Sequence, residues 1–198
     1  LTLGVLETLL AGLDAGIDSG IGLLKIRHIH GGAAQQGGVT AFGDAGIFWI
    51  AVAAVLLFFP KTRKMGLSAG AALLIGVVVC NLIMKPAFAR IRPFDYQLEH
   101  FGKAIHLLVA TPHDFSFPSG HTNASFAAAM ALLLHHRKAG IPAMILAVLI
   151  AFSRLYLYVH YPTDVIFSVF AGILFAIIGN LIAKKIPLGK FGQKGKYE

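Results

Sequence analysis

Residues 153–164 read Ser-Arg-Leu-Tyr-Leu-Tyr-Val-His-Tyr-Pro-Thr-Asp, and this stretch decides the fold. An apolar segment of about membrane length, 140–159, leads into His160, and a second one, 165–183, begins just after Asp164. Ionisable side chains at the edge of such segments are costly to place, so they are candidates for function. The stretch therefore predicts a turn that joins two membrane helices and carries chemistry.

The spacing within this turn predicts how two of its side chains interact. Pro162 is expected in the first turn of the second helix, where its missing N–H loses no hydrogen bond. Asp164 then lies in the same turn, one helical turn beyond His160. Its carboxylate can accept the Nδ1 proton of His160, which fixes the tautomer and leaves Nε2 free to attack. Taken alone, a His-x3-Asp spacing is also typical of a simple polar helix cap.

Two further stretches distinguish these interpretations. Residues 85–93 read Lys-Pro-Ala-Phe-Ala-Arg-Ile-Arg-Pro, and residues 118–121 read Pro-Ser-Gly-His. Lys-x6-Arg-Pro, Pro-Ser-Gly-His and Ser-Arg-x5-His-x3-Asp, in this order, form a three-part pattern. With it the chain resembles the type 2 phosphatidic acid phosphatase superfamily, a family of membrane lipid phosphatases. The resemblance extends over about residues 43–183.

The resemblance implies phosphoester hydrolysis through a phosphohistidine. It makes His160 the nucleophile, oriented by Asp164, and His121 the general acid that later activates water. It also implies a set of phosphate-binding residues, which are Lys85, Arg92, Ser119, Gly120 and Arg154.

The residue types suit an anion. Lysine and arginine supply fixed positive charge and many hydrogen-bond donors for phosphate oxygens. Ser119 and Gly120 stand just before an apolar helix that begins near Thr122, and backbone N–H groups at a helix N-terminus bind anions. Ser119 is also a candidate N-cap. Arg90 does not match the family pattern, so we expect a surface or headgroup charge there, with an auxiliary phosphate role as the alternative.

No cluster of carboxylates in the sequence resembles a magnesium or two-metal site. We therefore predict no metal and no cofactor, and metal-independent chemistry. His28 and His30 lack a third ligand nearby, which favours solvated loop residues over a metal site.

The composition indicates a membrane protein. Of 198 residues, 57% are hydrophobic and only 13% are charged, whereas soluble domains carry about 25% charged residues. The net charge of +8 is spread over short basic runs between apolar segments, a pattern that favours membrane orientation and anionic lipid over nucleic acid. The single cysteine, Cys80, lies in an apolar run and is expected to pack in the membrane.

We predict an all-α integral membrane helical bundle with five to six transmembrane or interfacial helices. Residues 1–43 are predicted as an amphipathic, interfacial helix and a loop, 44–185 as the phosphatase core and 186–198 as a basic cytoplasmic tail. A broken first transmembrane helix is the alternative for residues 1–24, where no cleavable signal peptide is recognised. The predicted apolar segments of the core are Ala45–Phe59, Met65–Met84, Thr122–Leu134, Ala139–Val159 and Val165–Ala183.

Loop charges predict the orientation in a plasma membrane. An alternating five-span topology puts the basic loops near residues 61–64, 137–138 and 184–196 on one side, which the positive-inside rule makes the cytoplasm. The three parts of the pattern then share the extracytoplasmic side, and the C-terminus is cytoplasmic. Lys25 and Arg27 fit this orientation less well.

Residues 94–117 contain no clear span and are predicted to dip into the lipid headgroup region, with a simple tether as the alternative. Tyrosines at 156, 158 and 161 favour an aromatic belt at the interface over contact with a substrate headgroup.

The function predicted from these residues is hydrolysis of a membrane lipid phosphomonoester or diphosphate. Phosphatidic acid, phosphatidylglycerol phosphate and undecaprenyl diphosphate all fit. Vanadium haloperoxidases are similar in the same three stretches, but they are soluble, which the hydropathy here argues against. A non-catalytic lipid-phosphate binding or transport protein is the alternative from another class. The sequence leaves the oligomeric state open.

Overall fold

Helices provide the regular structure of the computed structural model, which describes residues 45–187 and contains no strand in that range. Our predictions for residues 1–43 and for most of the basic tail lie outside the described residues. The helices are α1 (Ala45–Phe58), α2 (Arg63–Gly76), α3 (Lys85–Phe88), α4 (Pro93–Phe101), α5 (Gly120–His135), α6 (Arg137–Tyr156) and α7 (Pro162–Lys185), with a π-helix at Val77–Met84.

The alanine-rich helix α5 lies at the centre of the bundle. Helices α1, α2, α6 and α7 all pack against it, and Ala127, Ala128, Ala129 and Ala131 are completely buried. Because lipid tails are as apolar as the helices, helices in a membrane associate mainly where small side chains let their backbones approach closely. The small side chains of α5 thus let several helices meet around one short segment.

Helix α7 approaches its neighbours through glycine. A methyl group added at Gly172 would lie 2.8 Å from the carbonyl oxygen of Asn123 on α5, and one at Gly179 would lie 2.5 Å from the carbonyl oxygen of Ser68 on α2. Both distances are too short for a carbon atom, so the backbones meet only because these positions carry no side chain. These contacts fix α7, and therefore the helix start that carries Asp164.

The helical run from Arg63 to Phe88 ends abruptly at Ala89. The backbone stays right-handed through α2, the π-helix and α3, and then Ala89 adopts a left-handed conformation with φ of 44°. The Ala89 N–H donates to the Lys85 carbonyl at 2.9 Å and closes the last turn. Arg92 is extended and stands at the N-cap position of the next helix, α4. Pro93 is the first residue of α4, a position that suits proline.

Three helical segments within residues 45–187 are long and apolar enough to cross a membrane: Arg63–Phe101, Arg137–Tyr156 and Pro162–Lys185. The first contains the break at Ala89, so its continuous part ends at α3. Helices α1 and α5, with 14 and 16 residues, are about 21 and 24 Å long, less than the roughly 30 Å of a hydrocarbon core. The five predicted apolar segments all lie mostly in helices, although the fourth leaves its helix at Tyr156, three residues before its predicted end. The predicted all-α membrane bundle is confirmed.

Residues 94–117 differ from our expectation in one respect. Their first part is helix α4, which we did not predict although its start carries Pro93 and Asp95 and its end is Gly102, with φ of 62°. The remainder runs without regular structure to α5 and places Asp114 and Ser116 against residues of the first and third pattern stretches. The segment is therefore more than a tether, because it contributes contacts to the site.

We predict that Gly179→Ala destabilises the protein, because the added methyl group has to displace the α2 backbone. The expected loss in the free energy of unfolding is about 1–3 kcal/mol, measured as thermal unfolding in one detergent. Gly70→Ala is the matched control, since its methyl group meets no atom within 4 Å and alanine favours a helix by up to about 1 kcal/mol. Equal melting temperatures for the two variants would contradict this account of helix packing.

Candidate active site

Helix ends and loops from three parts of the chain, residues 85–92, 114–116 and 160–164, meet through direct contacts at one end of the bundle. The contributing residues are Lys85 in α3, Arg90 and Arg92 in the loop that follows, Asp114 and Ser116 before α5, His160 between α6 and α7, and Asp164 in the first turn of α7.

The carboxylate of Asp164 is completely buried and is surrounded by donors. Its Oδ1 accepts from Nη1 of Arg90 at 2.7 Å. Its Oδ2 accepts from the hydroxyl of Ser116 at 2.5 Å and from the backbone N–H of Tyr161 at 3.0 Å. Burying a carboxylate is very costly unless it is paired and hydrogen-bonded, so these donors allow Asp164 to remain charged next to His160.

The imidazole of His160 lies between this carboxylate and an arginine, and only 5% of the residue is exposed. Its Nδ1 is 3.5 Å from Oδ2 of Asp164, and its Nε2 is 3.5 Å from Nη1 of Arg92. The first distance is longer than a formed hydrogen bond, and Nδ1 has no hydrogen-bond partner among the described residues. The ring therefore has the predicted orientation, with Nδ1 towards the carboxylate and Nε2 on the other side, but the hydrogen bond between Nδ1 and Asp164 is not formed.

The electrostatics keep His160 neutral. Burial lowers the pKa of His160 below its ordinary value; Asp164 opposes this effect, but the charges of Arg92 and Lys85 lower the pKa further, so that it is lowered overall. An imidazole whose pKa is lowered is unprotonated at neutral pH. Only the unprotonated form has the Nε2 lone pair that a nucleophile needs.

Arg92 donates to three backbone carbonyls, those of Asp114, Phe115 and Val159, and to the Asp114 carboxylate, and it is only 3% exposed. Its Nε donates to the Asp114 carbonyl and its Nη1 to the Val159 carbonyl, both at 2.7 Å. Its Nη2 pairs with the carboxylate of Asp114. Tyr158, with φ of 59°, lies directly before Val159 in the turn after α6. Arg92 is thus fixed beside His160 before any ligand is bound.

The carboxylate of Asp114 joins two of the predicted phosphate-binding residues. One oxygen pairs with Lys85 Nζ and the other with Arg92 Nη2. Burial raises the pKa of Asp114, but the hydrogen bond from Lys85 and the charges of Lys85 and Arg92 outweigh burial, so its pKa is lowered overall. Its side chain is 54% exposed, so this carboxylate sits at the open side of the cationic pair.

The start of α5 supplies the second predicted element. Ser119 is completely buried and extended at the N-cap position, but its side chain caps no backbone N–H. Instead, its hydroxyl lies 3.0 Å from the hydroxyl of Thr122. Gly120 begins the helix beside Asn81, whose Oδ1 would lie 3.1 Å from a methyl group added at Gly120. His121 follows in the first turn and is partly exposed.

Arg154 lies in the last turn of α6. Its Nε and Nη2 both donate to the hydroxyl of Ser153 at 3.2 Å. The backbone carbonyl of Arg154 accepts from the Val159 N–H at 3.3 Å, so the residue also helps to fold the turn that presents His160. Its part in phosphate binding stays a prediction, as does that of His121 in proton transfer.

The comparisons with known proteins show the family of this chain. The family profile described as PAP2 superfamily matches residues 65–187, which contain all the residues of the site. The chain belongs to the PAP2 superfamily. An undecaprenyl-diphosphatase of Sulfolobus acidocaldarius is 36% identical to it over 146 residues, which cover 73% of this chain and 68% of that protein. A decaprenylphosphoryl-5-phosphoribose phosphatase of Mycobacterium tuberculosis is 35% identical over 147 residues, covering 73% and 75%.

A solved structure supports the fold over nearly the whole chain. The crystal structure of a transmembrane PAP2-type phosphatidylglycerolphosphate phosphatase from Bacillus subtilis has a TM-score of 0.57 and 25% identity. The match covers 96% of this chain and 98% of that one. This PAP2 protein is therefore a membrane protein and a lipid phosphatase.

Our expectation for Arg90 was wrong. We expected a surface or headgroup charge, whereas the structure pairs Arg90 with the fully buried Asp164 and places its guanidinium 4.0 Å from the centre of the Tyr161 ring. The signal that could have indicated this is chemical. A buried carboxylate at a helix start needs a cation, and Arg90 is a positive residue close to the PAP2 pattern that the pattern itself leaves unassigned.

Asp114 and Ser116 were also missed. Ser116 precedes the Pro-Ser-Gly-His stretch by two positions, and its role depends on a contact with a residue 48 positions away.

Among residues 45–187, no three histidine, cysteine, aspartate or glutamate side chains are grouped so that they could hold a metal ion. Metal independence of this PAP2 protein stays a prediction.

We predict that the imidazole of His160 titrates below about pH 6.5, the usual value for histidine. The sign follows from burial, which penalises the charged form, so that the proton is lost at a lower pH than in a solvated histidine. NMR of protein labelled in its histidine rings measures the midpoint, and His160→Gln assigns the signal. A midpoint at or above that of a solvated histidine would contradict the electrostatic account.

Proposed function

We propose that this PAP2 protein hydrolyses a lipid phosphomonoester or diphosphate at the extracytoplasmic face of the membrane, through a phosphohistidine at His160. The observation that carries the proposal is the position of His160, buried between the Asp164 carboxylate and the Arg92 guanidinium. This arrangement orients one ring nitrogen and leaves the other beside a fixed positive charge, where a phosphoryl group would be attacked.

In the first step, Nε2 of His160 attacks phosphorus. The new N–P bond forms as the bond from phosphorus to the leaving oxygen breaks, and His121 donates a proton to that oxygen. Lys85, Arg92 and Arg154, together with the N–H groups at Ser119 and Gly120, stabilise the charge on the phosphoryl oxygens. Asp164 stabilises the imidazole as it becomes cationic.

In the second step, water hydrolyses the phosphohistidine. His121, now unprotonated, accepts a proton from water as its oxygen bonds to phosphorus, and the N–P bond breaks. Inorganic phosphate leaves and His160 is again neutral. The products are phosphate and either the lipid alcohol or, from a diphosphate, the lipid monophosphate.

The similar proteins suggest which lipid to test first. Those whose names state a polyprenyl substrate act on an undecaprenyl diphosphate and on a decaprenylphosphoryl sugar phosphate. We propose a polyprenyl diphosphate as the leading substrate. Phosphatidic acid and phosphatidylglycerol phosphate have the same chemistry, a phosphate on an apolar tail that stays in the lipid, and remain the competing candidates.

The distribution of charge supports the proposed orientation. Lys64 and Lys184, from two separate basic runs, both act electrostatically on His135 at the C-terminal end of α5. The candidate active site includes the opposite, N-terminal end of the same helix. Positive residues favour the cytoplasmic side, so the site would face outwards and α7 would end in the cytoplasm.

The first test is phosphate release from the three lipid classes in one detergent, by the wild type and by His160→Ala. We expect the wild type to release phosphate fastest from the polyprenyl diphosphate. Loss of the nucleophile should lower turnover by about 1,000-fold or more while binding of lipid phosphate persists. His136→Asn is the control, because it changes an exposed histidine between α5 and α6 and keeps a side chain that can accept the capping hydrogen bond from the Ala139 N–H. Unchanged turnover in His160→Ala would remove this residue from the mechanism. A wild type that binds lipid phosphate without releasing phosphate would favour the non-catalytic alternative.

A second test concerns metal ions. We expect full activity in excess EDTA, because the proposed mechanism takes its positive charge from lysine and arginine side chains. The measurement is the rate of phosphate release before and after chelation, with magnesium then restored. A large loss on chelation that magnesium reverses would contradict the prediction.

A further inference from the structure

We propose that Arg90 positions the Asp164 carboxylate against His160, and that it does so without binding the substrate phosphate. The inference rests on the proposed function, since it concerns the imidazole that would attack phosphorus. It assigns a separate task to an arginine that lies two positions before Arg92 and outside the PAP2 pattern.

The side chain of Arg90 is directed into the first turn of α7. Its Nη1 donates to Oδ1 of Asp164 at 2.7 Å and to the hydroxyl of Thr163 at 2.8 Å. Its guanidinium carbon lies 4.0 Å from the centre of the Tyr161 ring, which is the geometry of a cation–π contact. Three successive contacts along the turn from Tyr161 to Asp164 thus hold the guanidinium in place.

The backbone of Arg90 acts on the same carboxylate through a second residue. The Arg90 carbonyl accepts the N–H of Ser116 at 2.8 Å, and the Ser116 hydroxyl donates to Oδ2 of Asp164 at 2.5 Å. Arg90 therefore binds one carboxylate oxygen directly and fixes the donor to the other. Both oxygens of Asp164 are held by a unit that includes neither Lys85 nor Arg92.

This clamp decides which oxygen faces the imidazole. Oδ1 is occupied by the guanidinium, so Oδ2 is the oxygen that lies 3.5 Å from Nδ1 of His160. A small closure of that distance forms the hydrogen bond that selects the Nδ1–H tautomer and leaves Nε2 free. Without Arg90, the carboxylate loses its ionic partner in a buried site, so it can rotate or take up a proton.

The division between the two arginines follows from their partners. Nη1 of Arg92 lies 3.5 Å from Nε2 of His160, the nitrogen that attacks, whereas Arg90 contacts Asp164 on the Nδ1 side of the ring. A phosphoryl group in line with Nε2 is therefore adjacent to Arg92. The Arg90 guanidinium supports the opposite side of the same imidazole.

The test compares Arg90→Gln and Arg90→Lys with the control Arg137→Gln, which removes an exposed arginine at the start of α6. Three quantities are measured in the full-length protein: kcat and KM for lipid phosphate release, the dissociation constant for orthovanadate as a phosphate mimic, and the tautomer of His160 from ring ¹⁵N shifts. For Arg90→Gln we expect a fall in kcat of about 10- to 100-fold, a mixture of His160 tautomers and a vanadate affinity within about twofold of the wild type.

The remaining outcomes separate positioning from other roles. Arg90→Lys should restore part of kcat, because lysine keeps the positive charge but lacks the planar set of donors of a guanidinium. Arg137→Gln should change none of the three quantities. If Arg90→Gln binds vanadate more weakly while its kcat persists, Arg90 is a phosphate ligand and the proposal is overturned. The proposal is also overturned if Arg90→Gln leaves both kcat and the His160 tautomer unchanged. If Arg90→Gln does not fold, Ser116→Ala removes the second donor, and an unshifted tautomer there would equally contradict the clamp.

Failure of the proposed function can be distinguished from failure of the proposal for Arg90. A wild type that releases no phosphate from any lipid of the panel disproves the proposed function. The tautomer and the vanadate affinity still decide whether Arg90 orients Asp164.

Discussion

A buried negative charge at the start of α7 is the constraint on which the site depends. Asp164 is removed from water, and a carboxylate in that position is tolerated only where donors replace its hydration. The donors come from the loop after α3, from the segment before α5 and from the turn before α7. Satisfying this one side chain therefore ties three separate parts of the chain to each other, and the same tie sets the position of His160.

Helix packing supplies the precision that this charge requires. The small residues of α5 and the glycines of α7 bring backbones into direct contact, so the helix ends have little freedom to shift. Catalysis by positioned groups is sensitive to displacements of about 1 Å. A core of alanine and glycine is therefore consistent with a site assembled from helix ends, because its geometry depends on backbone contacts and little on flexible side chains.

The sequence predicted the helices well because apolar periodicity and length are local properties. It also predicted that residues of the three pattern stretches meet, and the contact of Arg92 with His160 joins the first stretch to the third, whereas the part of the second stretch stays a prediction. It did not predict Arg90, whose partner Asp164 is 74 positions away. Such a contact depends on how the chain turns at Ala89, where a non-glycine residue adopts a left-handed conformation that no local pattern announces.

The contacts of Asp114 were likewise not predicted from the sequence. The exposure of Asp114 shows why Arg90 and Arg92 are not equivalent. Arg92 pairs with a carboxylate that is half exposed, and Arg90 with one that is completely buried. An incoming phosphate would compete with the carboxylate of Asp114 for Arg92 and Lys85, because that carboxylate is open to solvent. It cannot compete for Arg90 without leaving Asp164 as an unpaired buried charge, which costs several kcal/mol. The Arg90 side chain is itself more exposed than that of Arg92, 19% against 4%, but its carboxylate partner is the buried one. This difference between the partners supports the proposals that Arg92 binds phosphate and that Arg90 positions Asp164.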